Sequence, residues 1–145
     1  MKLAVACFVL PADADAQAVK RRVHGILPAA LVQVVNSAAL KNEALAELIA
    51  WQSRSARDAG CLLAKTQEMD FLLRVSGTTQ ISRALGESGA KSREENVLVL
   101  AGDSRDLNAR LLRSLGLTRR LSRREPTAEE FDRVERAAML NAAKA

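Results

Sequence analysis

Few residues in this chain have the type and spacing for covalent or acid–base chemistry. His24 is its single histidine, and Cys7 and Cys61 are its two cysteines. That set is too small for a Cys/His zinc site, and a chain this long with two cysteines is not a disulfide scaffold. His24 sits among Arg21, Arg22 and Gly25 with no motif around it, so it reads as a structural histidine at a helix end. Cys7 lies in an apolar run and Cys61 borders one, so both read as small buried hydrophobes. There is no G-x-G-x-x-G and no G-x-x-x-x-G-K-[ST], and Ser76-Gly77 is not part of a nucleophile elbow. Glu94-Glu95 and Glu129-Glu130 are adjacent pairs whose members point apart, which suits surface and helix-start roles rather than paired acid–base work. The expectation is a chain that is not an enzyme and takes no metal, no cofactor and no small-molecule substrate.

Charge offers more. The chain has 22 Lys+Arg against 17 Asp+Glu, a net charge of +5, and arginine outnumbers lysine sixteen to six. Arginine forks onto phosphate, so a polyanion partner competes with a plainly solvated basic surface. The densest run is Arg119-Arg120-Leu121-Ser122-Arg123-Arg124, with no acid before Glu125. Without a partner such a run repels itself and stays mobile and solvated; with one it is a phosphate-backbone clamp. The aromatics are Phe8, Trp51, Phe71 and Phe131, too few for base stacking on one face, so RNA contacts would be made by charge and to backbone.

The elements that would hold these residues alternate. The 145 residues are 48% hydrophobic and 27% charged, values of a globular domain rather than a disordered chain, and no apolar run approaches the ~20 residues of a membrane span. Leu3 to Leu10 fits either a buried strand ended by Pro11 or the core of a short secretory signal running to Ala16, the latter implying a secreted protein. Asp13 or Asp15 can cap a helix with Val19, Val23 and Ile26 inward, ending near Gly25 and Pro28. Leu31 to Val35 predicts a second strand. A helix over 41–59 carries Leu45, Leu48, Ile49, Gln52 and Ala56 on one face and stops at Gly60; Cys61 to Ala64 could add a strand. Thr66 can cap a helix with Met69, Leu72 and Leu73 inward, and a short helix with Ile81, Ala84 and Leu85 follows, ending at Gly89.

Val97 to Leu100 is a further strand, and Asp106 to Leu115 a helix with Leu107, Leu111 and Leu115 inward and Arg105, Arg110 and Arg113 outward. Thr127-Ala128-Glu129-Glu130 has the capping-box spacing and starts a last helix with Phe131, Val134 and Ala138 on a stripe. No repeat or linker divides residues 1–145. The expectation is one mixed α/β (α+β) domain, a small three- to four-stranded sheet packed with about six helices.

Phe71 to Leu85 forms a tight helix–helix corner, in which Gly77 permits the reversal and Thr78 or Thr79 can cap the second helix. Here the sequence resembles a known family. Asp70, Leu72, Leu73, Ser76, Gly77, Gln80, Ile81, Ala84 and Leu85 fit the pattern of the small, kinase-binding and tRNA-recruiting subunit of the KEOPS complex in its archaeal form: an apolar helix with an acid near its start, then S-G-x-x-Q-I and a small-apolar pair. Val32 to Val35 with the long helix after it, and Val134 to Leu140, extend the likeness from about Ala30 onward. Two places depart from it: Ala44 stands where members often carry His, and Thr79 where they often carry Arg.

The resemblance implies a cytoplasmic, non-catalytic subunit of the complex that makes threonylcarbamoyladenosine on tRNA, with no membrane partner. It would dock on the N-terminal lobe of the kinase-like ATPase subunit, support its activity, and help recruit tRNA by its 3′ end. Under that reading Gly77, Gln80, Ile81, Ala84 and Leu85 are the candidate kinase contacts. On charge and clustering, Lys65, Arg74, Arg83, Lys91, Arg93, Arg119, Arg120, Arg123 and Arg124 are the candidate tRNA contacts. The alternative is a free-standing basic RNA-binding module using the same arginines.

Overall fold

A computed structural model describes residues 2–144. In chain order the elements are β1 (Leu3–Leu10), α1 (Ala16–Ile26), β2 (Leu31–Asn36), α2 (Glu43–Asp58), α3 (Gln67–Ser76), α4 (Ile81–Ser88), β3 (Asn96–Asp103), α5 (Ala109–Ser114) and α6 (Ala128–Lys144). The strands form one antiparallel sheet in the order β1-β3-β2, pairing Cys7 with Val99 and Gln33 with Val99 from opposite sides. This is an α+β domain with six helices and three strands among the described residues.

Helices cover both faces of the sheet, so the strands read as nearly continuous apolar runs. Strand alternation sends Val5, Cys7, Val35, Val97 and Val99 into one core with α2, α3, Ala84 and Leu140. It sends Ala6, Phe8, Val32, Val34, Leu98 and Leu100 into a second core with Val23 of α1 and Leu112 of α5. The run Leu3 to Leu10 is therefore a strand, hydrogen-bonded along its length to β3. No helix of the described residues is long and apolar enough to cross a membrane.

The outer edge of β1 is paired and that of β2 is bridged at its end, which reduces the unpaired backbone groups that invite edge-to-edge association. Along β1 runs the arginine-rich segment: the Val9 N–H donates to Arg119 O at 2.8 Å and the Leu121 N–H to Cys7 O at 2.9 Å. Along β2, Val35 bridges to Gly89, and the Asn36 amide donates to Glu87 O (2.8 Å) and Gly89 O (3.2 Å).

Several expectations hold at the helix ends. Asp15 caps α1 and Thr66 caps α3. The capping box closes reciprocally, with the Thr127 N–H on Glu130 Oε1 at 2.9 Å and the Glu130 N–H on Thr127 Oγ1 at 3.2 Å.

Others need correction. Residues 61–64 form a loop, not a strand, and Cys61 is exposed; the Leu63 N–H there is committed to the Asp70 carboxylate at 2.8 Å. Helix α1 ends at Ile26, between Gly25 and Pro28 as expected, but Ile26 is 49% exposed and not turned inward. Helix α5 starts three residues late, because Asn108 accepts the Leu111 N–H and becomes its cap, which turns Leu112 and Leu115 into the core. On α6 the buried line is Glu130, Ala137 and Leu140; Phe131 and Ala138 face solvent.

Candidate docking corner and basic residues

Helix α3 ends because Gly77 takes the left-handed conformation (φ 73°, ψ 33°), which brings its own N–H and that of Thr78 onto Leu73 O at 2.8 and 3.2 Å. The chain then reverses into α4. Neither Thr78 nor Thr79 caps α4: the buried Thr78 hydroxyl accepts the Gln80 N–H at 3.1 Å, and Gln80 occupies the cap position with no side-chain cap bond. The exposed Gln80 amide therefore has no partner among the described residues. Ser76 and Ser88 hydroxyls meet at 2.6 Å and tie the two helices together.

The five candidate kinase contacts divide. Ala84 is completely buried and seats α4 on the core, so it is a packing residue and not a contact. Ile81 and Leu85, one helical turn apart, are 48% and 50% exposed. Ile81 also lines a cleft of about 470 Å³ with Ala64, Lys65, Thr66 and Met69. Gln80, Ile81 and Leu85 thus remain as an apolar corner with a free amide at its rim, whereas the half-buried Gly77 lies under the Arg136 stem and lines a different cleft.

The candidate tRNA contacts are dispersed. Arg74 is not on the surface at all: it is 2% exposed, forks onto Asp70 at 2.9 and 3.2 Å, and donates to Ala137 O and Asn141 Oδ1. The i,i+4 spacing of Asp70 and Arg74 carried this signal in the sequence.

The arginine run is not unpartnered, because an acid pairs with every arginine in it, three of the four from distant parts of the chain. Arg119 pairs with Glu95 (3.1 Å), Arg120 with Glu43 (2.5 Å), Arg123 with Glu47 (2.5 Å) and Arg124 with Glu130 (2.6 Å). The N-terminus of α2 grips the backbone as well: the Glu43 N–H donates to Ser122 O, and the Asn42 amide pairs with both the N–H and the C=O of Arg124 at 3.2 Å. The Glu43 hydrogen bond raises the Arg120 pKa, and Arg120 stacks over Phe8 at 5.6 Å. Burial, and then the Glu43 charge, push the Cys7 thiol far above its ordinary range, so it stays protonated. These arginines keep only their outward halves for a partner.

Arg83 is exposed and pairs with Glu87 at 2.8 Å. Lys65, Lys91 and Arg93 are exposed, and their side chains make no ion pair or hydrogen bond among the described residues. Lys65 adjoins Ile81, whereas Lys91 and Arg93 line a different cleft of about 550 Å³ beside the start of α1. Two basic residues outside the expected set, Arg133 and Arg136, stand on α6 at Gly77.

No family model matches the chain, and a search of the curated proteins returns no match.

Proposed function

We propose that this chain is a non-catalytic docking subunit, of the kind that sits on the kinase-like ATPase subunit of the KEOPS tRNA-modification complex in the cytoplasm, supports its activity and helps recruit tRNA. One observation carries the reading. Ile81 and Leu85 stand half exposed on a helix that Ala84 and Ser88 fix rigidly to the core, beside the unpaired Gln80 amide. An apolar pair with a polar rim on a fixed element is how a docking site presents itself. Completing the burial of both side chains would contribute roughly 2 kcal/mol, enough to anchor a larger interface. The tRNA arm rests on Lys65, Lys91 and Arg93, which form no ion pair among the described residues although Asp13 and Asp15 line the cleft of Lys91 and Arg93, with the outward faces of Arg119, Arg120, Arg123 and Arg124 as auxiliaries.

The test is a binding assay between the purified chain and the KEOPS kinase-like subunit of the same genome, using wild type and Ile81→Glu with circular dichroism to confirm folding. A 1:1 complex lost in the folded variant supports the docking role. No complex, together with tRNA binding that falls steeply with salt, would make the chain a free-standing basic RNA-binding module instead.

A further inference from the structure

The pairing of the arginine run throws a different pair of guanidinium groups into relief. Arg133 and Arg136 lie on one side of α6, three residues apart, and neither has a carboxylate within ion-pair distance among the described residues. Arg133 is anchored: its Nη2 donates to Ala39 O at 2.7 Å and Val75 O at 3.1 Å. Its Nε and Nη1 have no partner among the described residues. Arg136 is exposed and makes no hydrogen bond there; its stem crosses directly over Gly77, where an added Cβ would lie 3.2 Å from Arg136 Cδ. Together with Arg74, Ser76, Gly77 and Glu129 the two arginines enclose a cleft of about 130 Å³.

The electrostatics of the cleft favour an anion. Arg74 is neutralised by Asp70 and so adds no net charge, while Glu130 is shared between Arg124, its ion-pair partner, and the more distant Arg133. Glu129 is the one carboxylate in the wall, and it opposes two guanidinium groups. Burial depresses the Arg133 pKa, Glu130 and Glu129 oppose that shift, and the like charge of Arg136 adds to it. The charge of Arg133 is thus held at a cost that a bound anion would relieve. At roughly 30 Å³ per water the cleft holds about four waters, the room taken by the four oxygens of a tetrahedral anion.

We propose that this cleft between the end of α3 and α6 binds a phosphate-sized oxyanion, as free inorganic phosphate or as the phosphate of a small phosphomonoester, between the guanidinium groups of Arg133 and Arg136. Arg136 offers a free fork and Arg133 adds single hydrogen bonds from its Nε or Nη1, and a dianion is favoured over a monoanion because the Glu129 carboxylate must be outweighed. The proposal does not depend on the docking reading.

It is tested by titrating the full chain with inorganic phosphate, and separately with adenosine 5′-monophosphate, at constant ionic strength, following the Gly77 amide and the arginine Nε signals by NMR. The expected result is a saturable shift. Arg136→Gln weakens it about tenfold or more without moving the unfolding temperature, since the Arg136 guanidinium makes no hydrogen bond or ion pair among the described residues and Gln keeps the stem over Gly77, and Glu129→Gln strengthens it. Tighter binding of the nucleotide assigns a phosphomonoester; equal binding assigns free phosphate. A shift that never saturates, equal affinity in Arg136→Gln, or the same shift with acetate would each overturn the site.

Discussion

The Glu43 carboxylate locks the start of α2 to Arg120: Oε2 lies 2.5 Å from Arg120 Nε and Oε1 2.9 Å from Nη2, while Oε2 also takes the Cys7 N–H at 2.9 Å. One buried side chain thereby joins a helix, an edge strand and the arginine-rich segment. Glu43→Ala leaves the Cys7 N–H without an acceptor and frees Arg120. The expected loss is about 1–3 kcal/mol, or several degrees in Tm. Hydrogen exchange at the Val9 and Leu121 amides should rise before that of the β3 amides. Uniform protection across the sheet in the variant would refute the role of Glu43 as the staple.

Breaking the Asp70–Arg74 pair should cost more. Arg74→Ala strands a fully buried carboxylate, and removing one partner of such a pair costs about 3–5 kcal/mol. The urea midpoint should fall with little change in slope. A loss below about 1 kcal/mol would mean that Asp70 reaches solvent.

Acid should weaken the capping box. Burial pushes the Glu130 carboxyl upward, but hydrogen bonds from Arg124 and the Thr127 N–H, with the Arg124 charge, outweigh that and hold it below its usual range. A depressed carboxyl contributes stability that is complete above the ordinary glutamate range and is lost as pH falls through the folded value. The Tm gap between wild type and Glu130→Gln should therefore be widest near neutrality and close as pH falls toward about 3. A gap independent of pH would contradict this.

Two glycines of the corner should respond oppositely to alanine. A Cβ at Gly89 would meet Leu85 O at 2.5 Å, against backbone, so Gly89→Ala should destabilise by about 1–3 kcal/mol. Gly86 lies inside α4 with nothing within 4 Å of such a Cβ, and Gly86→Ala should stabilise by about 0.5–1 kcal/mol. Thermal melts of both variants decide it.

Position 81 and position 84 should also separate. Ile81→Glu should change stability by less than about 1 kcal/mol, because the side chain is already half in water. Ala84→Glu should abolish folding, because it drives a charge into the core. An unfolded Ile81→Glu would make Ile81 a core residue and remove it from the docking corner.

How far the sequence foretold this architecture depends on the range of each interaction. The Thr127/Glu130 box and the Gly77 reversal close within three or four residues, so both were legible. The α6 stripe was misplaced because Phe131 drew the apolar face toward itself, while the true buried face carries Glu130 and the half-buried Arg133, whose partners lie in other elements. Arg119, Arg120 and Arg123 look unpartnered because their acids are remote: Glu43 is 77 residues from Arg120, and Glu95 is 24 from Arg119; only Glu130, six residues from Arg124, is near. Burial of Arg74 could have been suspected from Asp70 four residues earlier. That Arg133 and Arg136 flank Gly77 depends on how α6 packs against α3, which no local pattern encodes.

The cover over β1 also imposes an order of events on the nascent chain. The sheet's own strands are complete once Asp103 has been made, yet the groups that close the outer edge of β1 come from Arg119 to Leu121. During the interval the edge strand has open backbone donors and acceptors, in a chain whose folding already waits on distant contacts. Once that segment emerges, and until Glu43, Glu47, Glu95 and Glu130 take them up, its arginines repel their counterparts on other nascent chains. The same charges that fasten the closed edge thus act as gatekeepers against chain-to-chain pairing while it is open.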